Sequence, residues 1–171
     1  MLKLAGAILV LLSGTLIGFR QAARYADRTA QIRQLLHVLQ RLETEIGFGH
    51  TPLPEALERA AAGAAGPVAA LFRRTAERLR EGGAAVRDAL RAAVDEGWSL
   101  TAMREPERSA VIRLGDALGI SDREDQIRHL RLAAALLQAE EAGARDEQAR
   151  YGKMWRSLGF MAALLVVILM L

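Results

Sequence analysis

Two long apolar segments without charge, one near each end of the sequence, constrain the fold more than any other feature. Residues 4–19 contain sixteen positions without a charged side chain, and residues 158–171 contain fourteen. A membrane-spanning helix needs about 20 apolar residues, with a lower limit near 17. Flanking basic side chains bring each segment close to that length, because their alkyl stems lie along the helix while the charge stays at the interface. Trp155 also stands where an interfacial aromatic residue is expected. We therefore predict transmembrane helices at residues 1–19 and 154–171.

Two alternatives compete with this prediction. The first segment resembles a signal peptide in its short basic start, which would leave a protein with one anchor. No Ala-x-Ala-like cleavage site follows it, however, and Arg20 and Arg24 come directly afterwards. The second alternative is a soluble fold in which residues 158–171 form a buried helix. A core helix of that size usually keeps one polar face, and this segment has none.

Basic residues on the inner flanks of the two segments predict their orientation. The inner flanks carry Arg20, Arg24, Arg28, Arg145, Arg150, Lys153 and Arg156. Outside the pair there is only Lys3. Because Lys and Arg near the ends of spans favour the cytoplasmic side, we expect residues 20–153 to form a cytosolic domain between the two membrane helices.

The intervening sequence predicts an all-α fold. No run alternates β-branched and polar residues, and Ala, Leu, Arg and Glu, which are good helix formers, dominate. Apolar residues recur at helical spacing, first at Ile32, Leu35, Leu36, Leu39, Leu42 and Ile46. Further apolar stripes are Val68, Leu71, Phe72, Thr75 and Leu79; Val86, Leu90, Ala93 and Val94; and Val111, Leu114 and Leu118.

Turn residues divide the region into about six helices. The first continues from the first apolar segment to Ile46, and a short one covers residues 54–62. Three more end at Gly82, Gly97 and Gly119, and the last runs from residue 122 to residue 171, where we expect a bend near Gly143 or Gly152. The predicted architecture is a cytosolic bundle of about six helices whose first and last helices continue into the membrane.

The sequence contains no recognisable catalytic, cofactor or metal motif. It has no cysteine, which excludes disulfides and thiolate ligands. The net charge of +3 comes from interspersed charges without a basic face for nucleic acid. The phosphate-binding Gly-x-x-x-x-Gly-Lys-Ser/Thr and nucleophile Gly-x-Ser-x-Gly patterns are both absent. We therefore expect a protein that is not an enzyme and that has no catalytic residue, cofactor, metal or nucleic-acid partner.

The isolated polar residues have simpler interpretations. None of the three histidines follows a glutamate at the Glu-x-x-His spacing of di-metal bundles. We expect His37, beside an apolar stripe, to be a partly buried structural residue, and His129 to form a surface pair with Asp125 four residues earlier. On a long charged helix, Glu140, Glu141 and Glu147 are expected to form a solvated face.

Two turns are the candidate contact surfaces for a partner. The first consists of His50, Thr51, Pro52, Leu53 and Pro54. The second contains Ser121 and Asp122. A purely structural reading stays open for both, because Thr51 can cap a helix whose first turn contains proline, and Ser121 with Glu124 matches a capping box.

Small residues in the apolar segments are candidate helix-packing positions. Gly14 and Gly18 share a Gly-x-x-x-Gly spacing, and Gly159 and Ala163 share the corresponding small-residue spacing. Such residues allow close helix approach in lipid, within the hairpin or between copies. Chance is the alternative, since glycine and alanine are common in this sequence.

Several stretches together resemble the stage III sporulation protein AB family of endospore-forming bacteria. The most specific are "TPLPEAL" at residues 51–57, "LGISD" at residues 118–122 and "KMWRSLG" at residues 153–159. The resemblance covers nearly the whole chain. It implies an integral protein of the mother-cell membrane around the engulfed forespore, with its helical domain in the mother-cell cytoplasm.

The resemblance also implies a role. The family belongs to the multi-protein assembly between mother cell and forespore, and its domain is similar to the inner-membrane platform (F) protein of type II secretion and type IV pilus machines. Such platforms couple a cytosolic secretion-type ATPase to membrane components. They usually carry two such domains and three spans, whereas this chain has one domain and two predicted spans, so we expect homo-oligomers. A pore-lining channel component is the alternative, although neither segment carries the intramembrane charge that conduction usually needs. A membrane-anchored enzyme is a third.

Overall fold

The computed structural model describes the backbone of residues 2–48 and 51–170. Side chains are described for residues 12–13, 15–48, 51–155, 157–158, 161–162, 164–166 and 168. The helices are α1 (Leu2–Phe48), α2 (Leu53–Ala61), α3 (Gly66–Glu81), α4 (Val86–Gly97), a 3-10 helix (Trp98–Leu100), α5 (Glu105–Ala117) and α6 (Arg123–Met170). These ranges contain no strand, and the all-α prediction is confirmed.

The predicted helix ends agree with the structure to within about two residues. Helix α2 begins and ends one residue before the predicted range, and α5 ends at Ala117 instead of reaching Gly119. The 3-10 turn after α4 was not predicted. Helix α6 is assigned continuously through Gly143 and Gly152. Within the part of the chain that the structure describes, no helix is both long enough and apolar enough to cross a membrane.

The chain divides into two compact units. The first unit consists of Met1–Thr29 and Gly143–Leu171, and the second of Ala30–Ala142. The domain boundaries predicted at residues 19/20 and 153/154 stay predictions.

The core of the second unit follows the predicted apolar stripes. In α1, Ile32, Leu35 and Leu39 are almost fully buried, as helical spacing on one face requires. Helix α2 packs on α3, α3 on α4 and α4 on α5, so the short helices form a sequential stack. Their largest buried side chains include Leu57, Leu71 and Phe72. Only the stripe ends Ile46, Leu79 and Val86 stay half-exposed.

Helices α1 and α6 run antiparallel within the second unit. The Arg33 Nε lies 2.6 Å from the Glu141 Oε1, and the Arg131 Nε lies 2.7 Å from the Glu43 Oε1. Because the partner's number falls as the α1 number rises, the two helices point in opposite directions. The Glu141 side chain is only 15% exposed. Its predicted place on a solvated face is therefore wrong, since the antiparallel register brings an α1 arginine onto it.

Two glutamines of α1 hold the loops of the second unit. The Gln31 Oε1 accepts a hydrogen bond of 2.7 Å from the Ala102 backbone N–H, ahead of α5. The Gln34 Oε1 accepts one of 3.2 Å from the Ala65 N–H, at the start of α3. Each amide oxygen satisfies a backbone donor that has no helical partner. The central helix thereby fixes two connections that are distant from it in sequence.

The first unit also contains an antiparallel contact between α1 and α6. The Arg28 Nη1 lies 3.3 Å from the Glu147 Oε2, and Arg28 is buried. One turn away, the rings of Tyr25 and Tyr151 have centroids 5.9 Å apart and are tilted by 31°. Glu147 is therefore engaged with the neighbouring helix, which corrects its predicted role on a solvated face.

Of the four predicted membrane-packing positions, the structure describes the surroundings of Gly18. Gly18 is buried. The surroundings of Gly14, Gly159 and Ala163 lie outside the described residues. Helix packing through these four positions stays a prediction.

Candidate partner-contact site

The two predicted contact turns lie side by side in the second unit. Gly119 has a left-handed backbone with φ of +84°. A Cβ atom built on it would lie 3.7 Å from the Leu53 Cδ2 and 2.5 Å from the Val86 Cγ2. The turn before α6 therefore rests against the first residues of α2 and α4. Only a glycine allows both this backbone conformation and this close approach.

The first turn begins α2 without a side-chain cap. Pro52 is the N-cap residue, and its carbonyl accepts hydrogen bonds of 3.0 Å from the Glu55 and Ala56 N–H groups. The Thr51 hydroxyl instead donates to the Glu45 Oε2 at 3.4 Å. The predicted cap by Thr51 is therefore wrong, because Leu53 is the first residue of α2 and Pro52 occupies the cap position. His50 lies outside the described residues.

Charged residues stabilise the base of the first turn. The Arg59 Nη2 donates to the Glu55 Oε1 at 2.6 Å, and its Nη1 lies 3.6 Å from the Glu45 Oε2. One guanidinium thus joins the end of α1 to the first turn of α2. Because Arg59 is about half-exposed, we assign this pair a role in orientation rather than a large stability contribution.

The second turn closes α5 and opens α6 with two different side chains. The Asp122 Oδ1 accepts a hydrogen bond of 2.8 Å from the Asp125 N–H, as an N-cap residue does. The Ser121 hydroxyl donates to the Ala117 carbonyl at 2.8 Å, at the end of α5. The predicted capping box of Ser121 with Glu124 is therefore wrong. Because α6 starts at Arg123, the Asp122 carboxylate is the group within reach of the Asp125 N–H in the first turn.

Large apolar side chains are exposed at and near these turns. Ile120 in the second turn is 74% exposed, and Phe48 at the end of α1 is 92% exposed. A Cβ atom built on Gly47, next to Phe48, would lie 3.6 Å from the Ile127 Cδ1, in the second turn of α6. The end of α1 and the start of α6 therefore lie together. Ile120 and Phe48 therefore add exposed apolar area at and near the two turns, which makes them candidates for contact with a partner.

Phe48 and Ile120 are candidate contact residues that the sequence did not predict. Each lies between turn-forming residues, in "GFG" and "GIS", where a polar residue is usual. An apolar residue in such a place is a usable signal, but its exposure depends on tertiary packing. We define the contact surface as Phe48, Pro52, Leu53, Ile120 and Asp122.

Of the two predictions about histidines, the one for His37 is wrong and the one for His129 is confirmed. His37 is exposed, so the prediction that it is partly buried is wrong: its neighbours Leu36 and Val38 take the buried positions. The His129 Nε2 lies 3.5 Å from the Asp125 Oδ2, which confirms the predicted pair. Among the described residues, no three metal-binding side chains gather into one group.

Comparisons with known proteins converge on one family. A family model described as stage III sporulation protein AB matches residues 3–171. The chain is 39% identical over 171 residues to a Bacillus subtilis (strain 168) protein of the same name, and the match covers all of both chains. A solved structure of stage III sporulation protein AB is 36% identical, with a TM-score of 0.68. That match covers 72% of this chain and 98% of the solved one.

Proposed function

Because the chain belongs to the stage III sporulation protein AB family, we propose that it is a non-catalytic platform of a sporulation assembly. Its helical domain docks a cytosolic secretion-type ATPase and couples it to other subunits in the mother-cell membrane around the forespore. The domain faces the mother-cell cytoplasm. Several copies assemble, since one chain supplies one helical domain.

The observation that carries the docking proposal is the contact surface. It combines a protruding isoleucine and phenylalanine with turns whose own backbone groups are satisfied by Asp122, Ser121 and Pro52. A partner that covers it removes apolar area from water without leaving turn hydrogen bonds unpaired. Such a surface suits binding, whereas catalysis requires convergent reactive groups.

The membrane part of the proposal is supported by the apolar segments at residues 4–19 and 158–171. In the first unit, the ion pair of Arg28 with Glu147 and the ring contact of Tyr25 with Tyr151 join α1 and α6 just beyond those segments. Two spans that enter the bilayer as a hairpin require such antiparallel neighbours. The flanking arginines support a cytoplasmic position of the helical domain, because Lys and Arg near the ends of spans favour that side.

Single cysteines test the topology cleanly, because the chain contains none. Ala65 and Ala149 are exposed and uncharged, so each accepts a cysteine without loss of an ion pair. Glu147 is unsuitable, because it contacts Arg28. With the protein expressed in the plasma membrane of growing cells, we expect a membrane-impermeant maleimide to label both cysteines only after lysis. Labelling from outside intact cells would refute the cytoplasmic domain and with it ATPase docking.

The contact surface is tested by Ile120→Ser. Burial of an isoleucine side chain contributes about 1.5–3 kcal/mol, so we expect affinity for the purified ATPase to fall by about tenfold or more. Leu100→Ser is the matched control, because Leu100 is 68% exposed but lies after the end of α4, whereas the second turn rests against the first residue of α4. An unchanged affinity in Ile120→Ser, or an equal loss of affinity in both variants, would contradict docking at this surface. Pull-down or fluorescence anisotropy with the full chain in detergent gives the dissociation constants.

A further inference from the structure

Four exposed cations border the predicted membrane segments in the first unit. They are Arg20 and Arg24 in α1 and Arg150 and Lys153 in α6, and we call them the basic band. Residues 1–26 and 148–171 contain no Asp or Glu. The charge next to both segments is therefore of one sign.

The antiparallel contact of the first unit brings these cations to one level. Arg28 pairs with Glu147, and Tyr25 pairs with Tyr151. Residues of lower number in α1 therefore lie beside residues of higher number in α6. Counted from Arg28 in α1 and from Glu147 in α6, the four cations lie three to eight residues closer to the predicted spans. At about 1.5 Å per residue, all four fall within about 8 Å along the helix axes.

The carboxylates nearest to the basic band are Asp27, three residues after Arg24, Asp146, four residues before Arg150, and Glu147. Glu147 is already engaged by the buried Arg28. No ion pair within the described residues involves any of the four cations. Four positive charges at one level repel one another, and an external anion relieves that repulsion.

Aromatic side chains complete the band. Tyr25 and Tyr151 are half-exposed at the same level, and Trp155 is half-exposed one turn beyond Tyr151. Rings with a polar tip are enriched at the depth of lipid headgroups. The combination of clustered cations with interfacial aromatics next to a predicted span is that of a site for a membrane surface.

We infer that the basic band binds the phosphate groups of anionic phospholipids and prefers them to zwitterionic phospholipids. This inference rests on the proposed membrane anchoring. An anionic headgroup has a net charge that clustered Lys and Arg attract, whereas a zwitterionic headgroup brings its own cation. A lipid fits better than a free phosphate ion, because the cations are spread over two helices at one depth and contact several headgroups at once.

Tryptophan quenching by brominated lipids tests this preference in the full chain. The chain has two tryptophans, and Trp98→Phe leaves Trp155 as the reporter beside the band. The protein is reconstituted in phosphatidylcholine vesicles that contain brominated phosphatidylglycerol or, in parallel, brominated phosphatidylcholine. Because each cation near a charged surface adds to anion attraction, we expect the anionic lipid to occupy the site at least about threefold more strongly.

The test variant replaces Arg20, Arg24, Arg150 and Lys153 with Gln. We expect its lipid preference to fall to near one. The matched control replaces four exposed arginines of the second unit with Gln: Arg41, Arg73, Arg91 and Arg113. It removes the same charge and should keep the preference, and far-UV circular dichroism checks that both variants stay helical.

The remaining outcomes overturn the inference in distinguishable ways. Equal quenching of Trp155 by both lipids would refute the preference while leaving membrane anchoring intact. Absence of quenching by either lipid would refute both the anchoring and the inference. A preference that survives the band variant, or that is lost equally in the control, would mean that these four cations do not form the site.

Discussion

Gly119→Ala is expected to destabilise the second unit strongly, through two separable effects. The backbone there has φ of +84°, and an L-residue in a left-handed conformation costs about 1–2 kcal/mol. The new methyl group would also lie 2.5 Å from the Val86 Cγ2 and 3.3 Å from the Val86 Cβ. Overpacking of this kind costs about 1–3 kcal/mol. We expect a total loss of about 1–4.6 kcal/mol, since the stiffer unfolded chain offsets about 0.4–1 kcal/mol.

Val86 cannot move aside easily. Val86 is the first residue of α4, and rotation about its χ1 can move the Cγ2 atom away from the added methyl group. The same rotation leaves the Val86 Cβ in place, only 3.3 Å from that methyl group. The structure therefore predicts that the clash persists.

Gly83→Ala is the matched control for the backbone effect. Gly83 also has a left-handed backbone, with φ of +93°, but nothing lies within 4 Å of a Cβ built on it. With the same offset from the stiffer unfolded chain, its substitution should cost only about 0–1.6 kcal/mol. The difference between the two variants measures the contact with Val86.

A double-mutant cycle with Val86→Ala completes the test. Urea unfolding of the full chain in a mild detergent, followed by circular dichroism at 222 nm, gives the midpoint and the slope m. We expect Gly119→Ala to cost about 1–2 kcal/mol less in the Val86→Ala background, because neighbours that share a contact are not additive. Additive effects, or equal losses in Gly119→Ala and Gly83→Ala, would refute the proposed close approach of the α5–α6 turn to α4.

Three further predictions concern single contacts. Gln31→Ala removes the acceptor of the Ala102 N–H and should lower the free energy of unfolding by about 1–3 kcal/mol at unchanged m, whereas Gln40→Ala at an exposed α1 position should change it by no more than about 0.5 kcal/mol. The hydrogen bond from Arg80, reinforced by its charge, lowers the pKa of Glu58 below its ordinary value, so Arg80→Gln should raise that pKa in an NMR titration. The stabilisation by this pair is present above the pKa of the unfolded state and is lost as the pH falls through the lowered pKa of the folded state. An unchanged pKa in the variant would contradict the pairing. Arg28→Met should destabilise the contact of α1 with α6 in the first unit by about 1–3 kcal/mol, because it removes a buried cation that contacts the part-buried Glu147. The double variant with Glu147→Gln should recover part of the loss.

The helices and their buried faces could be predicted because both depend on local information. Ile32, Leu35 and Leu39 share one side of α1 through spacing alone, and the structure buries all three. His37 shows the limit of that reasoning. His37 is adjacent in sequence to the buried Leu36 and Val38, but it lies on another side of the helix and is exposed.

The caps and the contact surface depend on information that the sequence does not carry locally. Ser121 and Asp122 are both good N-cap residues, and a shift of one position decides which one caps α6. The pairing of Glu141 with Arg33 requires the register of two helices about a hundred residues apart. For the same reason, the proximity of Leu53 to Gly119 follows only from the folded chain.

The antiparallel pairing of α1 with α6 has a consequence for biosynthesis. In the second unit, the partners of Arg33 and Glu43 are Glu141 and Arg131, which the ribosome adds about a hundred residues later. At about 5–20 residues per second, α1 waits roughly 5–20 s for them, with one side of its apolar stripe unprotected. We expect a nascent chain stalled at residue 120 to retain protease sensitivity around Arg33 and Arg41. A chain stalled well beyond residue 142 should lose that sensitivity as soon as α6 leaves the exit tunnel.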